Sequence, residues 1–222
     1  MSGGIIFYGD PHGEWRPLLR ACREERPEAV VILGDCDLDR PLSQEVAPIA
    51  EAGIPVRWIH GNHDIDRPEW HDNLWGDRPG WNLHATAATF GGRVVVGLGG
   101  VFNKMVWDVR AQDAQLSFLT RRDMLKATPP SQRWRGGLPL RARDAIFLED
   151  IEKLQQFHAD ILVTHEAPSS HRHGYSDIDE AAKACRAKLV VHGHHHENYE
   201  GVIPDTDVQV RGLARATVFR LR

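Results

Sequence analysis

The stretch Val190-Val191-His192-Gly193-His194-His195-His196-Glu197 ends an apolar run in four histidines broken by one glycine. A polar loop that happens to hold histidines is one reading, and a metal site is the other. The rest of the chain repeats the pattern. Ile5-Ile6-Phe7-Tyr8 runs into Gly9-Asp10-Pro11-His12-Gly13, and Ala29-Val30-Val31-Ile32-Leu33 into Gly34-Asp35. Val56-Arg57-Trp58-Ile59 runs into His60-Gly61-Asn62-His63-Asp64, and Ile161-Leu162-Val163-Thr164 into His165. Such short, β-branched runs with little alternation read as strands covered on both faces.

Helical spacing fills the gaps. Glu14 to Glu25 places Trp15, Leu18, Leu19 and Cys22 three and four apart. Ser43 to Ala52 and Ser176 to Arg186 each open on a serine that can cap a helix. Asp144 to Phe157 sets Ile146, Phe147, Ile151 and Leu154 on one side. Strands alternating with helices predict an α/β sheet, in which ligands gather at the carboxyl ends of the strands. The polar tips all fall there. Thr86–Gly97 reads as a hairpin around Gly91-Gly92, and Val202 to Leu221 holds further strand-like runs. A second, more antiparallel sheet is therefore expected. Residues 103–143, with Pro129-Pro130 and Gly136-Gly137, fit neither pattern and read as an insertion or cap within a single domain spanning 1–222.

Composition narrows the function classes. A chain of 222 residues with 41% hydrophobic and 26% charged residues is ordinary for a globular domain. Its net charge of −4 gives no overall attraction to nucleic acid or to an anionic membrane, and no dedicated nucleic-acid motif is present. No apolar run reaches the roughly 20 residues of a membrane span. The start MSGGIIFYGD has neither a basic n-region nor a long h-region, so no secretory signal is expected. Cys22, Cys36 and Cys185 are odd in number and lack CxxC spacing, which sets a reducing cytoplasm as the default compartment.

The strand-end residues Asp10, His12, Asp35, Asn62, His63, Asp64, His165, His194 and His196 offer carboxylate, imidazole and amide donors. That mixture suits Mn²⁺ first, with Fe or Zn²⁺ as alternatives, better than all-oxygen Ca²⁺ sites or cysteine-rich structural zinc. Alternate residues leaving a strand face one way, so Asp10 with His12, and His194 with His196, are expected side by side, with His195 pointing elsewhere. In order, GDPHG, GD, GNHD, a lone TH and GHHH resemble the motifs of the calcineurin-like metallophosphoesterases over residues 9–196. The resemblance implies a four-layer α/β/β/α sandwich of two mixed sheets flanked by helices, with two divalent metal ions at the sheet edge. It implies one metal on Asp10, His12 and His196, the other on Asn62, His165 and His194, and Asp35 between them. It further implies His63 as the group that stabilises charge or protonates the leaving oxygen, with Asp64 orienting its ring. Two cations about 3.5–4 Å apart clamp a phosphoryl group and lower the pKa of a water between them.

One departure bears on substrate. Many phosphoprotein phosphatases of this family read GDxVDRG at the second motif, with an arginine that helps hold phosphate. Here Gly34-Asp35-Cys36-Asp37-Leu38-Asp39-Arg40-Pro41 shifts the Asp-Arg pair by one and lacks the following glycine. The reading is therefore a phosphodiesterase acting on a small or nucleotide-like phosphorylated substrate. A monoesterase for small metabolites is the alternative, and a non-catalytic metal-binding scaffold is the rival from another class. A histidine-rich metal store is disfavoured, because the ligands are dispersed rather than in one tract. Residues 104–143 carry an excess of six positive charges, with Asp113 among the few acids. Arg133 and Arg135 are the expected substrate contacts from this insertion, and His171 from the loop after THEAP. Trp70, Trp75 and Trp81 read as packing before base stacking, Cys36 as a packed small residue, and His60 as a strand-end residue. His71, His84 and His158 read as ordinary surface or half-buried side chains.

Overall fold

Alternate side chains of a strand point to opposite faces, so a strand apolar at every position needs cover on both. Ile5–Gly9 is buried along its whole length and meets that demand. The computed structural model describes residues 3–110 and 115–222, so Asp113 lies outside the described residues. In chain order its strands are β1 (Ile5–Gly9), β2 (Ala29–Ile32), β3 (Val56–Trp58), β4 (Ala87–Phe90), β5 (Arg93–Leu98), β6 (Trp107–Asp108) and β7 (Gln115–Leu116), followed by β8 (Ile161–Thr164), β9 (Leu189–His192), β10 (Tyr199–Val202), β11 (Gln209–Gly212) and β12 (Thr217–Leu221). The α-helices are α1 (Arg16–Glu25), α2 (Leu42–Glu45), α3 (Ala47–Glu51), α4 (Pro68–Trp75), α5 (Arg121–Ala127), α6 (Leu148–Leu154) and α7 (Ser176–Ala184).

Two mixed sheets form the centre. One runs β12-β1-β2-β3 and the other β10-β11-β9-β8-β5-β4. Ile5, Phe7 and Val31 face Val95, Ile161, Val163 and Val191 across the gap between them. The alternate residues Ile6, Tyr8, Val30 and Ile32 turn outward onto Leu18 and Cys22 of α1 and Ile49 of α3. On the far side, Val96, Leu98, Leu162 and Val190 meet Ile151 and Leu154 of α6 and Ile178 and Ala181 of α7. The result is the α/β/β/α sandwich. Among the described residues no helix is long and apolar enough to cross a membrane.

The second sheet is less antiparallel than the hairpin and tail suggest. Its centre, β11-β9-β8-β5, is parallel, and only the edge strands β10 and β4 run antiparallel. The hairpin supplies one edge rather than the body of the sheet. The helix expected over 43–52 is broken at Val46, because Pro48 has no N–H to continue the ladder. Ser43 does not cap it; its N–H and hydroxyl both donate to Asp77. Ser176 is the first helical residue of α7, after Tyr175 at the cap position. Asp150 opens α6 by accepting the Phe147 N–H, which delays the start to Leu148. Helix α4 was not expected from the spacing. The 103–143 segment contributes Val106, Trp107, Met124, Leu138 and Ala142 to the cluster outside the second sheet, so its apolar residues share the core.

Phe7 lies fully buried between the sheets, with its ring 6.0 Å from that of Phe219. Phe7→Ala is expected to destabilise the protein by roughly 3–5 kcal/mol through lost burial and a residual cavity. A fall in the urea midpoint at unchanged m-value would record it.

Candidate functional site

The loops leaving β1, β2 and β3 of one sheet and β8 and β9 of the other meet at one edge. They bring together all seven residues expected as ligands. His12, Asp35 and His196 place one donor atom each within 4.8 Å of one another, and so do Asp35, His165 and His194, with Asp35 common to both groups. Asn62 Oδ1 lies 3.3 Å from His165 Nε2. Asp10 joins the two halves, with Oδ2 3.6 Å from His196 Nε2 and Oδ1 3.8 Å from His165 Nδ1.

The local backbone differs from strand alternation. Asp10, His12, Asp35, His194 and His196 all have positive φ, between 36° and 71°. Non-glycine residues rarely adopt that region, and it persists only where the surroundings enforce it. The paired residues therefore converge through left-handed turns after the strands, not by extension of them. Two glycines allow the close approach. A Cβ at Gly61 would run into Asp35 Oδ1 and the His165 ring, and one at Gly193 into the Asp10 carboxylate.

Outer partners set two of the four imidazoles. His12 Nδ1–H donates to Asp37 Oδ2 at 2.9 Å, and His165 Nδ1–H donates to the Leu33 carbonyl at 2.7 Å. In both rings Nε2 is turned toward the cluster, the atom that would bind a metal once its proton is released. The two Nε2 atoms of His12 and His196 stand 3.1 Å apart. Asp10 Oδ1 is buried without a hydrogen-bond partner. Carboxylates, imidazole nitrogens and an amide oxygen, aimed at one volume with an orphaned buried oxygen, fit divalent cations.

The electrostatics agree. Burial pushes Asp10 up to about 7, against the pull of His165 and with the Asp35 charge adding to the rise. Burial works against the Asp35 charge as well, yet His165 beside it holds that carboxyl below the usual range. Burial alone would strip the proton from His165, but Asp35 and Asp10 hold its pKa up at about 10. Burial and the His165 charge push His194 down to about 3.

His63 and Asp64 occupy different roles from those expected of a pair. His63 stands at the cluster, its ring 5.4 Å from that of His12, and its N–H donates to Asp35 Oδ1 at 2.9 Å. Its Nδ1 is engaged by Asp66 Oδ2 at 2.7 Å, not by Asp64. Asp64 instead turns inward and accepts from Asp35 N (3.0 Å), Cys36 N (2.8 Å) and Gly61 N (2.8 Å). The short 3₁₀ turn at His63–Ile65 places Asp66 three residues on, beside His63, and sends Asp64 into the protein. Burial works against a charged His63, but the Asp66 hydrogen bond and nearby carboxylates raise its pKa overall.

The expected substrate contacts divide. Arg133 donates to the Thr128 and Leu125 carbonyls, and Arg135 forms a bidentate pair with Asp72 of α4. Both commit their donors to scaffold, because the insertion folds back on its own turns and on α4. His171 is buried and stacked on His195, ring centroids 4.2 Å apart, at the flank of the histidine run. Trp75 packs edge-on against Trp58 and under His71, and Trp81 joins the cluster outside the first sheet, so both serve packing. His71 is buried rather than on the surface. Cys36 is fully buried, and burial beside Asp64 and Asp35 raises its thiol pKa well above normal, consistent with a packed residue.

Four residues were not singled out by the sequence. Asp37 and Asp66 each sit two or three positions past a motif residue, a spacing that could have marked them. Glu166 follows His165; it forms a further donor group with His194 and His195, and its Oε2 is buried without a partner. Arg215 lies far along the chain, yet its Nη2 donates to the His12 carbonyl at 3.2 Å. No carboxylate lies within ion-pair distance of it among the described residues.

Comparison with known proteins accords with this geometry. The family model described as calcineurin-like phosphoesterase matches residues 4–198. An uncharacterized protein of Haemophilus influenzae (strain ATCC 51907 / DSM 11121 / KW20 / Rd) is 38% identical over 198 residues, covering 88% of this chain and 84% of that protein. Among solved structures, TT1561 of Thermus thermophilus superposes with a TM-score of 0.59 at 15% identity, covering 96% of this chain and 89% of that one. A dimetal phosphatase from Danio rerio gives 0.52 at 17% identity, covering 96% and 87%. At these identities the two structures establish likeness of fold.

Asp64→Ala would leave three buried N–H groups unpaired and is expected to cost roughly 3–5 kcal/mol. Metal content after reconstitution should fall with it, since the loops carrying Asp35 and Asn62 lose their tie. Asp66→Asn should leave both stability and metal content near the parent values. Equal losses in the two variants, read by thermal melts and metal analysis, would contradict this assignment.

Proposed function

This chain belongs to the calcineurin-like phosphoesterase family and is a metal-dependent phosphoric ester hydrolase, and we propose that it cleaves phosphodiesters of small or nucleotide-like compounds. The observation that carries the reading is His63, partly exposed at the metal cluster with its Nδ1 held by Asp66. So held, a protonated His63 offers its Nε2–H to a leaving oxygen. An alkoxide or aryloxide leaving group, from a monoester or a diester, needs a proton that this group can supply, and the lean to a diester rests on it together with the altered second motif. The second motif supports the same reading: Arg40 makes a bidentate pair with Glu45 and points its donors there.

Asp10, His12 and His196 would hold one cation and Asn62, His165 and His194 the other, with Asp35 shared. Mn²⁺ is the first candidate for the native metal, with Fe and Zn²⁺ as alternatives. When bound, the cations supply charge that neutralises the phosphoryl group and make the attacking water more acidic. Water adds to phosphorus as the bond to the leaving oxygen breaks. His63 gives its proton to that oxygen and is reprotonated from solvent. The Asp66 carboxylate stabilises the imidazolium before transfer. Asp64 acts as a positioning residue through the loops it ties. Arg215, with donors to spare beside His12, contacts a non-bridging phosphoryl oxygen. Three free, buried thiols support a reducing, cytoplasmic setting.

The test is hydrolysis of bis(p-nitrophenyl) phosphate beside p-nitrophenyl phosphate by metal-stripped protein reconstituted with Mn²⁺. Diester turnover should be faster, and His63→Ala should lower hydrolysis of a diester with a poor, alkyl leaving group by about 10²–10⁴-fold, the range for a general acid, and that of the activated nitrophenyl diester much less. Preference for the monoester would replace the diesterase reading with a phosphatase acting on small metabolites. Arg215→Ala should raise KM roughly tenfold, as loss of a charged hydrogen bond does, with a smaller change in kcat.

A further inference from the structure

Behind the loop that carries Asn62 lies a cavity of about 380 Å³. None of the seven expected metal ligands lines it. Its floor is His60, only 2% exposed, and both ring nitrogens of His60 are without a hydrogen-bond partner. An imidazole carries at least one N–H in either of its neutral tautomers, and here nothing accepts it. The walls are basic. Arg143 rests on the Trp134 ring, and its Nη1 reaches His71 Nε2 at 3.3 Å. The Arg143 Nε–H is buried without a partner. No carboxylate lies within 4 Å of Arg143 or Arg122 among the described residues.

The acids nearby are already committed. Arg121 takes Glu149 and Asp150, and Asp150 also accepts from the Phe147 N–H. Asp72 is held by Arg135. The Asn82 side-chain oxygen accepts from His84 N. Donors therefore exceed acceptors around one volume, and a half-buried guanidinium is left without a counter-charge. Leu125 and Leu138 add an apolar wall. The volume falls in the range of small-molecule pockets.

We propose that this cavity is a second binding site, separate from the metal edge, for a small oxyanion that carries a short apolar part. His60, Arg143 and Arg122 bind the anionic oxygens, and the leucines take the apolar part. The positive excess of residues 104–143 thus finds its use in Arg122 and Arg143 rather than in Arg133 and Arg135.

Phenylphosphonate and inorganic phosphate are the probes, titrated by calorimetry into chelator-stripped protein so that binding at a metal centre is removed. Phenylphosphonate should bind at one per chain and more tightly than phosphate. Arg143→Gln and Arg122→Glu should each weaken it at least tenfold, and Arg215→Ala should leave it unchanged. Arg122 is exposed, so Arg122→Glu decides the matter should Arg143→Gln fail to fold. Absence of binding to the stripped protein, or equal affinity in the Arg122 variant, would overturn the proposal. Loss in Arg215→Ala would move the anion to the metal edge and overturn it equally.

Discussion

Three backbone N–H groups from two different loops converge on one buried carboxylate, that of Asp64. Through it the turn after β2 and the turn after β3 become one rigid piece. Asp35, the residue shared by both ligand groups, is held in its left-handed conformation by this contact at its own N–H. Its Oδ1 in turn accepts the His63 N–H. A local backbone preference of about a kilocalorie per mole against positive φ is overcome because each donor would otherwise be buried unpaired. Burial and the Asp35 charge push Asp64 up to about 7, against the N–H groups that favour its ionised form. The tie is thus electrostatically loaded as well as structural.

The sandwich explains why such a tie is needed. Two sheets pack through their inner faces, and their strand ends abut at one edge. Polar residues leaving the strands of one sheet meet those leaving the other. His165 from β8 reaches the Leu33 carbonyl beyond β2, and the His194 N–H donates to Asp10 Oδ2 beyond β1. The site is itself part of the seam between the sheets. Strain, charge and inter-sheet contact are concentrated in the same few turns, and the covered strands behind them hold those turns in place.

Away from that edge, the distribution of positive charge separates scaffold from site. Arginines with carboxylate partners, such as Arg121 with Asp150 and Arg135 with Asp72, brace the insertion against α6 and α4. Arg215, Arg143 and Arg122 lack such partners among the described residues. Pairing, rather than charge itself, marks which arginines are available to an anion.

Most of the strands, the helices α1, α6 and α7, and the residues that meet at the sheet edge were legible in the sequence. Hydrophobic runs ending in Asp, Asn or His are local features, and their order along the chain carries the family pattern. The break at Val46 in the helix expected over 43–52 was missed, although Pro48 lacks the N–H to continue the ladder. What a residue touches across the fold was not. Asp64 and Asp66 are both acidic and close to His63, and only the turn at His63–Ile65 decides that Asp66 faces the ring. Arg133 and Arg135 differ from Arg215 in no local property. Their partners come from α4 and the insertion's own carbonyls, while Arg215 is carried to His12 by a crossover between sheets, where the Ala216 N–H is pinned to the Asp10 carbonyl. Periodicity and residue chemistry act over a few positions and so are written in the sequence. Pairing, burial and charge balance depend on which distant segments meet, and only the packed tertiary structure brings those together.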